Sequence, residues 1–231
     1  MKSSITFGSQ VISFHVSHSN RKSLGISVNP DMTVSVKAPI EATTDRIKQT
    51  IRKKAPWILK QQQFFLAFHP KSAARRFVSG ETHLYLGKQY RLKITSGKNA
   101  SVKLKGKFLH VITPDKSQTE TLVNKWYLEK AHEKFHQLAD PLIARFTKHK
   151  VKPQSIVLRN MSTRWGSCTP KGKIILNPEL IKTPKGCIEY VIIHELCHLV
   201  HHDHTQKFID LQKKEMPDWE QWKGKLERLM A

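Results

Sequence analysis

With 231 residues, of which 39% are hydrophobic, the chain can bury a core in one domain or two small ones, which excludes a disordered tail. The opening residues MKSSITFGSQ lack the apolar segment of a signal peptide, and no later apolar run approaches the ~20 residues of a membrane-spanning helix, so no membrane partner is expected. The 3 cysteines contain no CxxC pair and do not form a disulfide framework, and we therefore expect a cytoplasmic protein.

The positive charge is large and unevenly distributed. The formal net charge is +22, and residues 1–110 hold 20 basic and 4 acidic side chains, against 20 and 14 in residues 111–231. A field of this sign attracts polyanions, although a basic surface also serves solubility alone. We expect the N-terminal region, residues 1–115, to bind nucleic acid or another polyanion, and the sequence does not indicate an oligomeric state.

Residues 1–115 have the pattern of a β-rich region. Apolar alternation predicts strands at 11–16, 32–36, 82–86, 90–94, 102–104 and 108–112. Between the second and third of these, apolar residues at helical spacing predict a helix over 44–67, which Pro56 should kink or split.

Residues 116–231 have mainly helical spacing, so the fold class is predicted to be α+β. The predicted helices cover 118–149, 184–201, 205–214 and 218–229, with short strands at 156–158 and 173–176. Pro141 should bend or divide the first of these helices, and Thr183 is the predicted N-cap of the second, with Pro184 at its first position.

The helix at 184–201 is apolar on nearly every side and should be buried. His194 and His198, four residues apart, project from one face of it, and Glu195 has no Lys or Arg neighbour to neutralise it. In this HExxH spacing, neutral imidazoles bind Zn²⁺ and the glutamate acts as general base for a water that the metal activates.

A third ligand must come from outside this helix. His201 lies about 10 Å farther along the helix axis than His194, too far to share one metal at about 2.0–2.1 Å. The chain must therefore turn back, and His204 is the favoured third ligand, with His201 and His202 as alternatives.

Two further residues near the motif have competing interpretations. Cys168 would complete a structural four-ligand zinc site, but such a site gives Glu195 no role. Asp203 either orients a ligand imidazole or caps the helix that follows it.

Several motifs occur together in the chain: RWGSC at 164–168, GKIILN at 172–177, Leu180, HELCH at 194–198, His204 and Phe208. Together they resemble the YgjP-like metallopeptidase family, which is related to the SprT and WLM groups of zincins. Residues 37–39, the helix around Trp57 and the segment 85–88 resemble the N-terminal part of that family, so the resemblance extends over most of the chain.

This resemblance implies a zincin-like catalytic unit that holds one Zn²⁺ per chain and cleaves polypeptides. It assigns His194, His198 and His204 as ligands and Glu195 as catalytic base. On this view residues 116–231 are the catalytic region, preceded by the basic N-terminal region, unless both form one continuous family domain.

The resemblance also implies substrate-binding residues. The strand that ends at Asn177 would be the edge along which an extended substrate lies. Ser167 is typical of the family, Trp165 either packs beneath the site or contacts substrate, and Arg164 makes a structural hydrogen bond or contacts an anionic substrate.

The substrate remains open among three classes. The first is a peptidase, recruited to nucleic-acid-bound proteins by the basic region. The second is a metal-dependent hydrolase of a phosphoanhydride such as a nucleoside triphosphate, although the sequence lacks a Walker-type glycine loop. The third is a nucleic-acid-binding protein with a structural zinc.

Overall fold

The computed structural model, which describes residues 2–8, 10–29, 31–66, 75–161 and 164–230, contains two four-stranded sheets. Six of their eight strands lie where apolar alternation predicts them, and the strands Lys2–Phe7 and Gly25–Val28 were not predicted. Packing divides the chain into two units, Met1–Ser72 and Ala73–Met230. Among the described residues, none of the helices combines the length and apolar character needed to cross a membrane.

The first unit is a sheet with one helix packed against it. Its strands are β1 (Lys2–Phe7), β2 (Gln10–Ser19), β3 (Gly25–Val28) and β4 (Val34–Pro39), in the order β1-β2-β4-β3. Helix α1 (Thr44–Leu66) buries Ile51 and Ile58 against alternate strand residues such as Phe14 and Val36. The period of two in the strands and of 3.6 in the helix thus produce one core.

The second unit contains the remaining elements. Its first sheet has strands β5 (Thr82–Tyr85), β6 (Lys88–Ser96), β7 (Ser101–Lys105) and β8 (Phe108–Thr113), in the order β5-β6-β8-β7. A three-stranded sheet follows with β9 (Ser155–Leu158), β10 (Gly166–Cys168) and β11 (Lys173–Leu176), in the order β10-β11-β9. The helices are α2 (Thr119–Phe146), α3 (Lys185–Val200), α4 (Gln206–Glu215) and α5 (Trp219–Met230). The fold is therefore α+β, as predicted.

The second sheet shares its hydrophobic core with the helices that follow it. Leu92, Leu109 and Val111 are buried in one cluster with side chains of α2 and α3. Because of this shared core, the packing boundary lies at 72/73, whereas the sequence pattern placed it at 115/116.

Two prolines predicted to interrupt helices leave them continuous. Helix α1 runs through Pro56 and helix α2 through Pro141, so neither helix is split. Both prolines are on exposed sides of their helices. Water can there replace the hydrogen bond that the missing N–H would have made.

A buried carboxylate joins the end of α4 to the end of α2. The Glu215 side chain is 1% exposed, and its oxygens lie 3.1 Å from Arg145 Nε, 2.9 Å from Lys148 Nζ and 2.9 Å from His149 Nε2. Burial raises the pKa of Glu215, but the hydrogen bond with His149 and the charges of Lys148 and Arg145 outweigh it, so the pKa is lowered. The ionised carboxylate therefore stabilises the fold.

Replacing Glu215 by Gln should lower the free energy of unfolding by about 1–3 kcal/mol at pH 7, because the charge-assisted bonds are lost. A lowered folded-state pKa contributes stability that is complete above the ordinary value of 4.5 and is lost progressively as the pH falls below it. Urea unfolding at pH 7 and at lower pH should therefore show the difference between the two proteins shrinking on acidification. The exposed Glu133→Gln variant, which loses a surface pair with Lys130, should change stability much less than Glu215→Gln does, because solvent screens that pair.

Candidate metal centre

Helix α3, which carries the HExxH motif, is buried along most of its length, as its apolar sequence predicts. Pro184 occupies the N-cap position, so the predicted cap at Thr183 is wrong. The Thr183 hydroxyl instead donates to the Leu180 carbonyl at 2.8 Å and closes the preceding turn. The helix ends where His201 becomes extended, which lets the chain turn back.

Three imidazoles converge next to this turn. One ligand atom each from His194, His198 and His204 lies within 4.8 Å of the others. In the part of the chain that the structure describes, this is the group of three or more side chains able to hold a metal, and neither His201, His202 nor Cys168 belongs to it. The structure thus brings the three predicted ligands together.

Hydrogen bonds define the tautomers of two of these rings. His194 Nδ1 lies 2.8 Å from Gln212 Oε1, and His198 Nδ1 lies 3.0 Å from the His202 carbonyl oxygen. Both oxygens can only accept, so each Nδ1 carries a proton and each Nε2 keeps a lone pair for a metal. Sequence reasoning missed Gln212 because a partner 18 residues away has no spacing signal.

The three rings also share one apolar support. The Phe208 ring centroid lies 5.0 Å from His194, 4.7 Å from His198 and 4.7 Å from His204. Phe208 is buried near the start of α4, so the same helix supplies both the apolar contact and Gln212. Asp203 was expected either to cap α4 or to orient a ligand. The N-cap residue of α4 is Thr205, so Asp203 does not cap the helix.

The donor set fits zinc. His194 Nε2 and His204 Nε2 lie 3.1 Å apart, close to the ~3.3 Å expected of two ligands bound tetrahedrally at about 2.0–2.1 Å. Burial, with smaller effects from His198 and His204, lowers the pKa of His194 to about 4, so this ring is neutral at pH 7. Three neutral imidazoles are the ligands of many hydrolytic zinc sites.

Glu195 lies in the same cleft as the three imidazoles. The cleft has a volume of about 630 Å³, and Arg164, at its exposed rim, is the basic side chain that Glu195 faces. Glu195 is 5% exposed, and burial raises its pKa to about 8, while the Arg164 charge acts in the opposite direction. The cleft therefore combines three imidazoles able to bind a metal with a carboxyl group that is buried away from water.

Strand β10 forms one wall of the cleft and approaches α3 closely at Gly166. A Cβ atom at this position would lie 2.5 Å from Glu195 Oε1 and 2.8 Å from Val191 Cγ1. Only glycine fits between the strand and the helix without displacing the carboxylate. The single glycine of the RWGSC segment was the available sequence signal for this contact.

Strands β10 and β9 are the edges of this sheet, and β10 is the edge that lines the cleft, so the expectation that the strand ending at Asn177 forms an edge was wrong. Strand β11 is central, paired with β10 on one side and β9 on the other. Backbone bonds join Trp165 to Asn177 and Thr169 to Lys173. Because bonded positions alternate in an antiparallel ladder, the N–H and C=O groups of residues 166 and 168 point away from β11.

The other predicted substrate-binding residues divide into two groups. Arg164 and Ser167 line the cleft. Trp165 is half-buried against the core, and Asn177 is buried, with its amide donating to the carbonyls of Met161 and Arg164 at 2.8 Å and 3.2 Å. Asn177 therefore supports the segment that carries Arg164 and has a structural role.

A second HExxH sequence shows what burial adds to the motif. His132 and His136 lie on α2 with ring centroids 4.8 Å apart, but no third ligand joins them among the described residues. Glu133 is exposed and lies 2.6 Å from Lys130 Nζ. The HExxH spacing at 132–136, without burial or a third ligand, is therefore only part of a solvent-exposed face of α2.

Three convergent imidazoles beside a buried carboxylate, in an open cleft, are typical of the active site of a metal-dependent hydrolase. The family model described as YgjP-like, metallopeptidase domain, matches residues 22–229 and so spans both units, and the chain belongs to this family. A search of curated proteins found no match.

Replacing Gln212 by Leu should weaken zinc binding about 10- to 100-fold, because the His194 ring loses the acceptor that orients it. Competition with a chromophoric chelator measures the affinity. Gln206→Leu, on the exposed side of the same helix, is the matched control and should bind zinc like the wild type. Equal zinc affinities for the wild type and Gln212→Leu would show that the hydrogen bond between Gln212 and His194 does not contribute to zinc binding.

Replacing Gly166 by Ala should displace Glu195 while leaving the three imidazoles in position. We expect at least a tenfold loss of hydrolytic rate with zinc content unchanged, since small misplacements of a reacting group are costly. Gly224→Ala, where an added Cβ meets no atom within 4 Å, should keep full activity. Steady-state kinetics and metal analysis of both variants test the expectation, which fails if Gly166→Ala is as active as Gly224→Ala.

Proposed function

We propose that the protein is a zinc-dependent metallopeptidase with one Zn²⁺ per chain, held by His194, His198 and His204, and with Glu195 as general base. The observation that carries the proposal is the convergence of the three imidazoles in one cleft with a buried carboxyl group. Membership of a metallopeptidase-domain family supports it. Zn²⁺ bound by these ligands would polarise a carbonyl group and lower the pKa of a water molecule.

The chain's own residues then provide the proton transfers. Glu195, whose ionised form a divalent cation on the three imidazoles would favour, accepts a proton as a water oxygen adds to the carbonyl carbon of the substrate. It returns that proton to the amine nitrogen as the C–N bond breaks, so that water is consumed and two peptide ends are released. Arg164, at the rim, keeps a positive charge facing the carboxylate through this cycle.

An extended polypeptide is the substrate shape that the cleft favours. The backbone groups of Gly166 and Cys168 point to the open edge of β10, where a peptide can add as a further strand. Main-chain bonds of this kind are independent of side-chain identity. We therefore expect broad sequence tolerance and a preference for unfolded segments.

One observation favours a phosphoanhydride as a second candidate substrate. The cleft lining contains Arg164 and several histidines, and Glu195 is its one carboxylate among the described residues. This balance of charge would suit an anionic substrate such as a nucleoside triphosphate. Arg164→Gln separates the candidates, because it should reduce triphosphate hydrolysis at least tenfold and peptide hydrolysis much less.

Replacing Glu195 by Gln should keep stoichiometric zinc and reduce turnover at least a hundredfold, since the amide cannot accept the proton. Zinc content is measured together with cleavage of an unfolded protein and of nucleoside triphosphates. Glu189→Gln, on the same helix but outside the cleft, should remain active.

Each outcome of this experiment discriminates between the candidates. Cleavage of protein that depends on Glu195 supports the peptidase, and Glu195-dependent loss of triphosphate alone supports the second candidate. Bound zinc without any Glu195-dependent hydrolysis would leave a structural zinc in a nucleic-acid-binding protein.

A further inference from the structure

The outward face of the sheet β5-β6-β8-β7 is positively charged without any opposing carboxylate. Residues 82–113, which contain all four strands, hold 7 basic side chains and no Asp or Glu. The inward face is apolar and buried through residues such as Leu92 and Leu109. Four of these cations, Arg91, Lys93, Lys103 and Lys105, alternate along their strands with inward-facing residues and therefore lie on the side of the sheet that faces solvent.

Strand register arranges these side chains around two rings. Phe108 lies between Arg91 on β6 and Lys105 on β7. His110 lies in the same way between Lys93 on β6 and Lys103 on β7. The cationic sheet face consists of Arg91, Lys93, Lys103, Lys105, Phe108 and His110.

The two rings are available for stacking. Phe108 is 43% exposed, although the Lys93 ammonium lies 5.9 Å from its ring centroid, and His110 is half-buried with Nε2 3.0 Å from Thr95 Oγ1. They are two positions apart on β8, about 6.6 Å, and cations lie on the neighbouring strands at about 4.8 Å. Flat rings in the middle of a sheet, bordered by cations, form a surface on which unpaired bases can stack.

We propose that the cationic sheet face binds single-stranded nucleic acid, with bases stacked on Phe108 and His110 and phosphates paired with the four flanking cations. Charge complementarity selects a polyanion, and the exposed ring selects one whose bases are unpaired. A duplex hides its base faces and should bind more weakly. This inference goes beyond the proposed hydrolysis and does not depend on it.

Fluorescence anisotropy of the full-length protein with a labelled mixed-sequence 20-nucleotide strand tests the proposal. Phe108→Ala should weaken binding roughly tenfold, while Phe108→Tyr, which keeps a ring, should stay within about twofold of the wild type. The double variant Lys93→Gln and Lys103→Gln should reduce the steepness of log affinity against log salt by about 1.4, since each of the two lost phosphate contacts on a single strand contributes about 0.7.

The control removes the same charge from another basic surface. Lys53→Gln with Lys54→Gln, on the exposed side of α1 beside the 43% exposed Trp57, should change affinity by no more than about twofold. Equal loss from both double variants would overturn the proposal, because net charge alone would then explain binding. So would unchanged binding in Phe108→Ala, or Phe108-dependent binding to phosphatidylserine vesicles without oligonucleotide binding. Unfolding curves confirm that each variant is folded.

Discussion

The hydrogen bond between His194 and Gln212 is the contact on which the metal centre depends. It joins α3 to α4, and because the amide oxygen only accepts, it sets the tautomer that frees Nε2 of His194. Three residues later on the same helix, Glu215 is anchored to the end of α2. Polar contacts thus run from the end of α2 through α4 to His194, a candidate metal ligand. Loss of Gln212 would leave His194 Nδ1 without its acceptor, and loss of the cations would leave the buried Glu215 carboxylate unpaired.

Burial of the glutamate distinguishes the HExxH sequence of α3 from the one on α2. Glu133 is solvated and paired with a lysine, so its carboxylate behaves as an ordinary surface group. Glu195 lies under a strand that approaches the helix closely because Gly166 has no side chain. Desolvation there raises the pKa of the Glu195 carboxyl group, whereas the hydrogen bond from Lys130 and its charge lower the pKa of Glu133. The chemistry of the motif therefore comes from its packing as much as from its spacing.

Sequence periodicity predicted the helices around the site to within a few residues, because each has a continuous apolar face that packing then buries. It also predicted the convergence on His204, since the rise of a helix rules out His201. It missed β10, whose three residues Gly-Ser-Cys show no apolar alternation. The family resemblance, for its part, placed the substrate-binding edge at the strand ending at Asn177, which is central in the sheet. Strand order in a sheet is decided by tertiary pairing between segments. Local pattern therefore cannot specify which strand stays unpaired, nor could it locate Gln212.

The fold also changes the meaning of the charge asymmetry. The basic first half reads as a separate polyanion-binding region, yet residues 82–113 share a core with α2 and α3 and belong to the unit that contains His194, His198 and His204. Helix α2 packs against this sheet and against α3. A strand of nucleic acid on the cationic sheet face would therefore be held at a fixed distance from the cleft, through one packed core. Such coupling would limit which bound proteins could reach Glu195, since both surfaces belong to one packing unit.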